Sequence, residues 1–259
     1  MTEVRADHGT AVNARTFADA AREVIDRVVA GNGERVTEAV DLIAGALRAG
    51  GVLQAFGTGH SEALAMELVG RAGGLVPTNK ISLRDVVVFG DAPREVLHDD
   101  KLERDPRIAH QLYALAAPRP EDVFVVASNS GINGCIVEFA LLVKQHAHPL
   151  IAITSAEHTA RVTPRHPSGR RLAEIADVVL DNGAPYGDAL LPLPGGGTVG
   201  AISSITSALL GQLVAVEVAR QLQDAGQVPP IYLSANVPGG DEHNTTLESR
   251  YAGRIRRTA

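Results

Sequence analysis

The chain has 259 residues, 45% hydrophobic and 21% charged, with a formal net charge of −6 and 3% aromatics. These values exclude a mainly disordered chain, and they argue against a nucleic-acid partner, which needs a basic field and stacking platforms. No run of about 18 apolar residues marks a membrane span, the opening MTEVRADHGT lacks a signal-peptide pattern, and the single cysteine, Cys135, allows no intrachain disulfide, so a cytoplasmic protein with no membrane contact is expected.

Apolar residues at helical spacing predict helices over about Ala11–Ala30 and Gly33–Ala49, able to cover a sheet or form a dimer interface. Val52–Phe56 then reads as a buried parallel strand ending at Gly57. Helical spacing returns from Ser61 to Gly73, where Gly73-Gly74 would cap the helix. Leu75-Val76 reads as a second strand ending near Pro77. Val86–Phe89 is a strand fragment or loop, and Asp99–Leu115 is mostly helical but interrupted by Pro106. The irregular stretch from Ile81 to Pro118 is the place for an insertion near a site. Asp122–Ala127, Leu150–Thr154 and Ala176–Leu180 are further strands, with a helix to about His146 after the first of them. Thr198–Gln223 reads as one long apolar helix. A short polar helix follows IYLSANVPGGDEHN, and the basic end (Arg254, Arg256, Arg257) reads as solvated. Strands and helices alternating with short turns predict an α/β protein with a parallel sheet between two helical layers.

Two strand ends run through small polar loops into helix N-termini. They are Gly57-Thr58-Gly59-His60-Ser61 and Ser128-Asn129-Ser130-Gly131-Ile132-Asn133. Free N–H groups, the helix dipole and short hydroxyls together suit an anion, most often phosphate. The same residues also serve as ordinary caps and turns. Neither loop is a Walker A sequence, and Glu62 stands where GxGxxG needs its third glycine, so a small phosphorylated molecule fits better than a nucleotide.

GTGHSEALAMELVGR and SNSGING resemble the two signatures of the SIS (sugar isomerase) domain family. The likeness covers about residues 35–220. It extends over the whole chain to a bacterial group of SIS proteins ending in a PGGDEHN-like segment. The resemblance implies a three-layer α/β/α sandwich with a five-stranded parallel sheet, preceded by two N-terminal helices. Residues 1–34 would be the helical segment and 35–259 the phosphosugar-binding domain. It also implies a homo-oligomer, dimer or tetramer. Ser128, Asn129, Ser130, Gly131 and Asn133 would hold the sugar phosphate, with Gly57, Thr58, Gly59, His60 and Ser61 facing the sugar or sharing the phosphate.

The step common to the family's enzymes removes a proton beside the carbonyl of an open-chain sugar, which needs a general base. Glu67 is the first candidate. Glu67-Leu68-Val69-Gly70-Arg71 is similar to the E-L-x-G-R stretch of phosphoheptose isomerase, whose Glu is catalytic. The plain alternative is a Glu67–Arg71 pair on one helix face. That isomerase's metal-ligand positions fall at Ala63 and Gln212 here, so no metal and no cofactor are expected. Glu242 and His243 could supply an acid or base, with Asp241 otherwise an N-cap. Glu62 is a further carboxylate, while Arg84, Asp91, Glu103 and Arg104 belong to a lid. The expected function is an enzyme on an amino-sugar 6-phosphate such as an N-acetylhexosamine 6-phosphate, by C2 proton abstraction leading to elimination. The alternatives are an aldose–ketose isomerase, a non-catalytic phosphosugar sensor and a subunit of a larger complex. The sensor reading is weakened because only about 35 residues precede the fold, with no helix-turn-helix.

Overall fold

A computed structural model describes residues 11–257, so the opening residues read above for a targeting signal lie outside the described part. Five strands form one parallel sheet. They are β1 (Leu53–Gly57), β2 (Thr78–Ile81), β3 (Val123–Ala127), β4 (Leu150–Thr154) and β5 (Val178–Asp181), in the order β2-β1-β3-β4-β5. β1 and β3 pair with Gly57 opposite Ala127, so the loops that follow leave the sheet at one level. The expected three-layer sandwich with a five-stranded parallel sheet is the observed fold.

Alternate strand residues face opposite layers. Leu53, Ala55, Val123, Val125 and Ala127 pack under α1 (Ala14–Gly31), α2 (Gly33–Arg48), α3 (Glu62–Leu68) and α8 (Ser203–Asp224). Phe56, Phe124, Val126, Leu150 and Ala152 pack under α4 (Asp85–Val88), α5 (Pro106–Ala116) and α6 (Gly134–Gln145). The two N-terminal helices therefore cover the sheet. Of the remaining helices, α7 (Ala156–Arg161) follows β4 and α9 (Gly240–Ser249) follows the α8 layer. No helix among the described residues is long and apolar enough to cross a membrane.

Several sequence expectations are corrected. Leu75-Val76 is not the second strand. Leu75 makes an isolated antiparallel bridge with Ile231, and β2 begins after Pro77. The first-loop helix ends at Leu68 rather than Gly73, because Val69 turns extended. Val86–Phe89 contributes to the short helix α4. Pro106 starts α5 instead of interrupting a helix. It stands at the first position, where its missing N–H costs nothing, behind the N-cap Asp105, whose carboxylate accepts from the Arg107 N–H at 2.9 Å. Thr198–Ala201 is strand β7, paired antiparallel with β6 (Ala189–Pro192), and only then does α8 begin. Three glycines between the two strands, Gly195 to Gly197, all have positive φ and close this hairpin.

The basic end is not solvated. The Arg254 guanidinium pairs at 2.5 Å with Asp122, which is 1% exposed at the start of β3. Arg256 donates to the Leu115 carbonyl and lies over the Phe89 ring. Arg257 donates to the Val76 and Thr78 carbonyls and to the Tyr232 hydroxyl. The C-terminal chain is thus a strap over the β2 edge, and its arginines satisfy carbonyls that an edge strand would leave open.

Candidate functional site

In the order 2-1-3-4-5 the chain turns to opposite faces after β1 and β3. The helix after β1 covers one face and the helix after β3 the other. A crevice opens at such a switch point beyond the carboxyl ends of the strands, and open α/β sheets bind ligands there. Both loops singled out in the sequence flank it.

The loop after β3 is held from several sides. Ser128 Oγ accepts from the Gly131 N–H at 3.1 Å. The Asn129 carbonyl accepts from the Ser155 N–H, and the Gly131 carbonyl from the Leu172 N–H. Thr159 Oγ1 donates to the Ser130 carbonyl at 3.1 Å. Gly131 has φ +64, a conformation that favours glycine, while a Cβ there would only touch Leu172 and Thr154. This wiring fixes the loop before any ligand arrives.

The start of α6 has no side-chain cap: its N-cap, Asn133, makes no such bond. The amide group points elsewhere: Nδ2 donates to Glu103 Oε1 at 2.7 Å, and Oδ1 accepts from Arg165 Nη1 at 3.2 Å. The first-turn N–H groups of a helix have no acceptor inside it, so this N-terminus is suited to an anion. The side chains of Ser128 and Ser130 belong to the same loop.

Glu103 joins the two loops. Its other oxygen, Oε2, accepts from Thr58 Oγ1 at 2.9 Å. A 3-10 turn at Leu102–Arg104 carries it there, seated on Gly134 so closely that an ideal Cβ would come 2.2 Å from the Arg104 carbonyl oxygen. Gly59, with φ +56, faces the same carboxylate. The sequence placed Glu103 only in a lid. The one signal for it was an irregular segment inside a compact domain.

On the other side of the crevice, His60, Ser61, Asn129, Asn182, Ser203 and Ser207 line a small polar cleft at the N-terminus of α8. Asn182 is 1% exposed, and its Nδ2 donates to Asn129 Oδ1 at 3.1 Å. Asn182 and the α8 serines were missed in the sequence, because Asn182 follows a strand end that carries neither of the two small polar loops, and the serines lie inside a segment read as one apolar helix from Thr198.

The remaining candidates lie apart from this crevice within one chain. Glu67 accepts from Gln212 Nε2 at 2.7 Å and from Arg71, with 23% of its side chain exposed. Arg71 lies beyond the end of α3, so this is not a pair along one helix. Ala63 and Gln212 stand at the positions read against the metal-ligand histidines, and Gln212 is in contact with the candidate base. Glu62 pairs with Lys80 at 3.3 Å and Arg84 at 3.4 Å, beside the first loop. Glu242 and His243 line a separate cavity with Val228, Pro229 and Arg250. The His243 ring bonds the Ile231 carbonyl at 3.0 Å, and Asn244 brackets both backbone groups of Leu233. Gly239, at φ +78, is the N-cap of this helix, so Asp241 is not.

A doubly wound parallel sheet with two short polar loops at its switch point, the second tied down by hydrogen bonds from neighbouring elements, defines the class of the protein. Comparison with known proteins supplies the family: residues 16–155 match the SIS domain model, and the chain belongs to the SIS domain family. A UPF0309 protein of Listeria monocytogenes is 36% identical over 241 residues, covering 93% of this chain and 97% of that protein. A phosphoheptose isomerase structure from Francisella tularensis superposes with TM-score 0.56 at 16% identity, covering 80% of this chain and 96% of the other. A phosphoheptose isomerase structure from Neisseria gonorrhoeae gives 0.53 at 20%, covering 80% and 96%. These two likenesses are of fold.

Proposed function

We propose that the protein is an enzyme acting on a sugar phosphate, with an amino-sugar 6-phosphate such as an N-acetylhexosamine 6-phosphate as its substrate. The observation that carries this reading is the uncapped N-terminus of α6 at the switch point, with a carboxylate held 2.9 Å from Thr58 and 2.7 Å from Asn133 beside it. The phosphoryl group binds the α6 amides with Ser128 and Ser130. The open-chain sugar lies across the first loop toward His60, Ser61 and Asn182.

Glu103 is the carboxylate best placed to move a proton in this arrangement. It removes the proton at C2 of the aldehyde form, and the electron pair delocalises onto the carbonyl oxygen. Return of the proton to C1 gives isomerisation. Loss of the C3 hydroxyl, protonated as it leaves, gives dehydration, which is the outcome this reading prefers. The Glu67–Gln212 contact supports a second assignment of the base. Glu67 then acts in a homo-oligomer whose neighbouring chain completes the site, and α3 and α8 leave the apolar side chains Met66, Ile205 and Val216 exposed for such a contact. A light-scattering mass of 27.1 kDa at micromolar concentration would remove that second assignment.

The test is incubation with a panel of hexose and hexosamine 6-phosphates in D2O, followed by NMR. For a hexosamine 6-phosphate the expected outcome is a product that has lost both the C2 hydrogen and the C3 oxygen, with deuterium at C2 only in substrate reprotonated before elimination. Binding without exchange would establish a sensor, and no binding by any member of the panel would overturn the reading.

A further inference from the structure

The anion expected at α6 is a dianion, yet neither loop carries a lysine or arginine. Helix amides and hydroxyls hold a phosphoryl group, but in a partly desolvated crevice a fixed cation adds strong charge-assisted bonds. Among the described residues, Arg165 is the cation hydrogen-bonded to a side chain of the SNSGIN loop, through Asn133 Oδ1 at 3.2 Å. Its backbone lies on the same loop, with the Arg165 N–H donating to the Ile132 carbonyl at 3.3 Å.

The segment bearing Arg165 is tied at both ends. Arg171 donates to the Val162 and Thr159 carbonyls, which folds the segment back on itself. The Leu172 N–H donates to the Gly131 carbonyl. Between these ties sits His166, its side chain 7% exposed. Ser168 N–H donates to His166 Nδ1 at 3.1 Å, so that nitrogen is the acceptor and Nε2 carries the proton toward Glu138 Oε2 at 2.7 Å. Glu138 stands one turn into α6, and its other oxygen faces His110 of α5 at 2.8 Å. Two histidines and one carboxylate thus set the height of the Arg165 segment against the helix whose N-terminus it overlooks.

We propose that residues 162–172 form a phosphoryl clamp. Arg165 leaves Asn133 to pair with the dianionic phosphoryl group at the α6 N-terminus, and His166 is a positioning residue acting through Glu138. This rests on the reading that the SNSGIN loop holds the phosphoryl group. It goes further by naming the cation that distinguishes a phosphate monoester from a neutral sugar. The parked state explains why a solvent-exposed arginine is hydrogen-bonded to an N-cap amide that its own helix does not use.

Calorimetry with inorganic phosphate and with glucosamine 6-phosphate tests it, on the wild type, Arg165→Gln, His166→Leu, the double variant, and Ser128→Ala with Ser130→Ala. Arg165→Gln should weaken both ligands by about tenfold, the scale of one lost bond to a charged group. His166→Leu should weaken them about threefold alone and add nothing in the Arg165→Gln background, since a residue acting through Arg165 has no effect once it is gone. A merely structural histidine would cost the same in both backgrounds, which would overturn its role. If Arg165→Gln binds like the wild type while the serine variant loses binding, the clamp is wrong and the phosphoryl site stands. If the wild type binds neither ligand, both fall.

Discussion

The turn after β1 passes through one 3-10 turn into a helix of seven residues, while the turn after β3 enters a helix of twelve whose N-cap side chain is engaged elsewhere. Both turns carry glycines in the left-handed region, Gly59 and Gly131, and both pack a backbone closely against a glycine lacking Cβ. The difference lies in what surrounds them. The Gly131 turn is held by groups from β4, α7 and the 162–172 segment, whereas His60 and Gly59 of the first turn are exposed. A loop wired from three elements can present fixed donors to an anion without reorganising when the ligand binds. The exposed loop is suited to the variable part of a substrate. Under the proposed function, the two loops divide the work as anchor and selector.

The contrast breaks most severely at Gly134. A methyl group there meets the Arg104 carbonyl oxygen, an atom that cannot yield like a flexible side-chain end. Gly134→Ala should push the Leu102–Arg104 turn off α6 and carry Glu103 with it. Expected are a loss of stability of about 1–3 kcal/mol in urea unfolding and a fall in C2 exchange of at least about a hundredfold. Gly45→Ala is the control. A Cβ at Gly45 in α2 meets nothing, and alanine there should stabilise by about 0.5–1 kcal/mol. Wild-type stability and turnover in Gly134→Ala would mean that the turn is not seated as described.

Next in size is the pair Glu103→Gln and Glu67→Gln. Glutamine keeps the bulk but removes the base. With Glu103 as the base, its variant should keep ligand binding within a few-fold and lose about a hundredfold in turnover, the scale of a lost general base. Glu67→Gln should then stay within a few-fold in both, because its partners Arg71 and Gln212 lie outside the crevice. The reverse outcome transfers the base to Glu67 and makes the oligomer part of the active site.

A smaller effect is expected at the anchor itself. Ser128→Ala with Ser130→Ala should weaken phosphosugar binding by about 1–3 kcal/mol in total, measured by calorimetry. Ser61→Ala in the exposed loop should cost less. Equal losses in both would erase the division between anchor and selector.

The sheet, the two loops and the long helix were legible because each rests on a local pattern. Apolar runs ending in glycine mark buried strands, and SNSGIN joins a strand to a helix start. The C-terminal strap was not legible. Three arginines near the end of the chain read as solvated because sequence does not show that Asp122 and the β2 edge lie beneath them. The hairpin before α8 was lost because Thr198, Val199 and Ala201 continue the apolar spacing of the helix after it. Glu103 was undervalued for a related reason. Its partners Thr58 and Asn133 are 45 and 30 residues away, and no spacing rule reports a bond across that distance.

Cys135 gives the smallest expected effect and the finest test of the anchor. It is the second residue of α6, where the helix dipole by itself would lower a thiol pKa and raise its reactivity. The structure opposes this. Burial first, then the carboxylates of Asp105 and Glu103, push the thiol up to about 12. At pH 8 such a group is thiolate in about one molecule in ten thousand. The native protein should therefore show no measurable reaction with a disulfide reagent over an hour at that pH, and one equivalent should react on unfolding in urea. Because Cys135 directly follows Gly134, Gly134→Ala should expose the thiol and speed its labelling. A phosphosugar should slow that labelling again by seating on the same helix start. Rapid labelling of the native wild type would mean that the start of α6 opens in solution, and the loop would then be formed by its ligand rather than waiting for it.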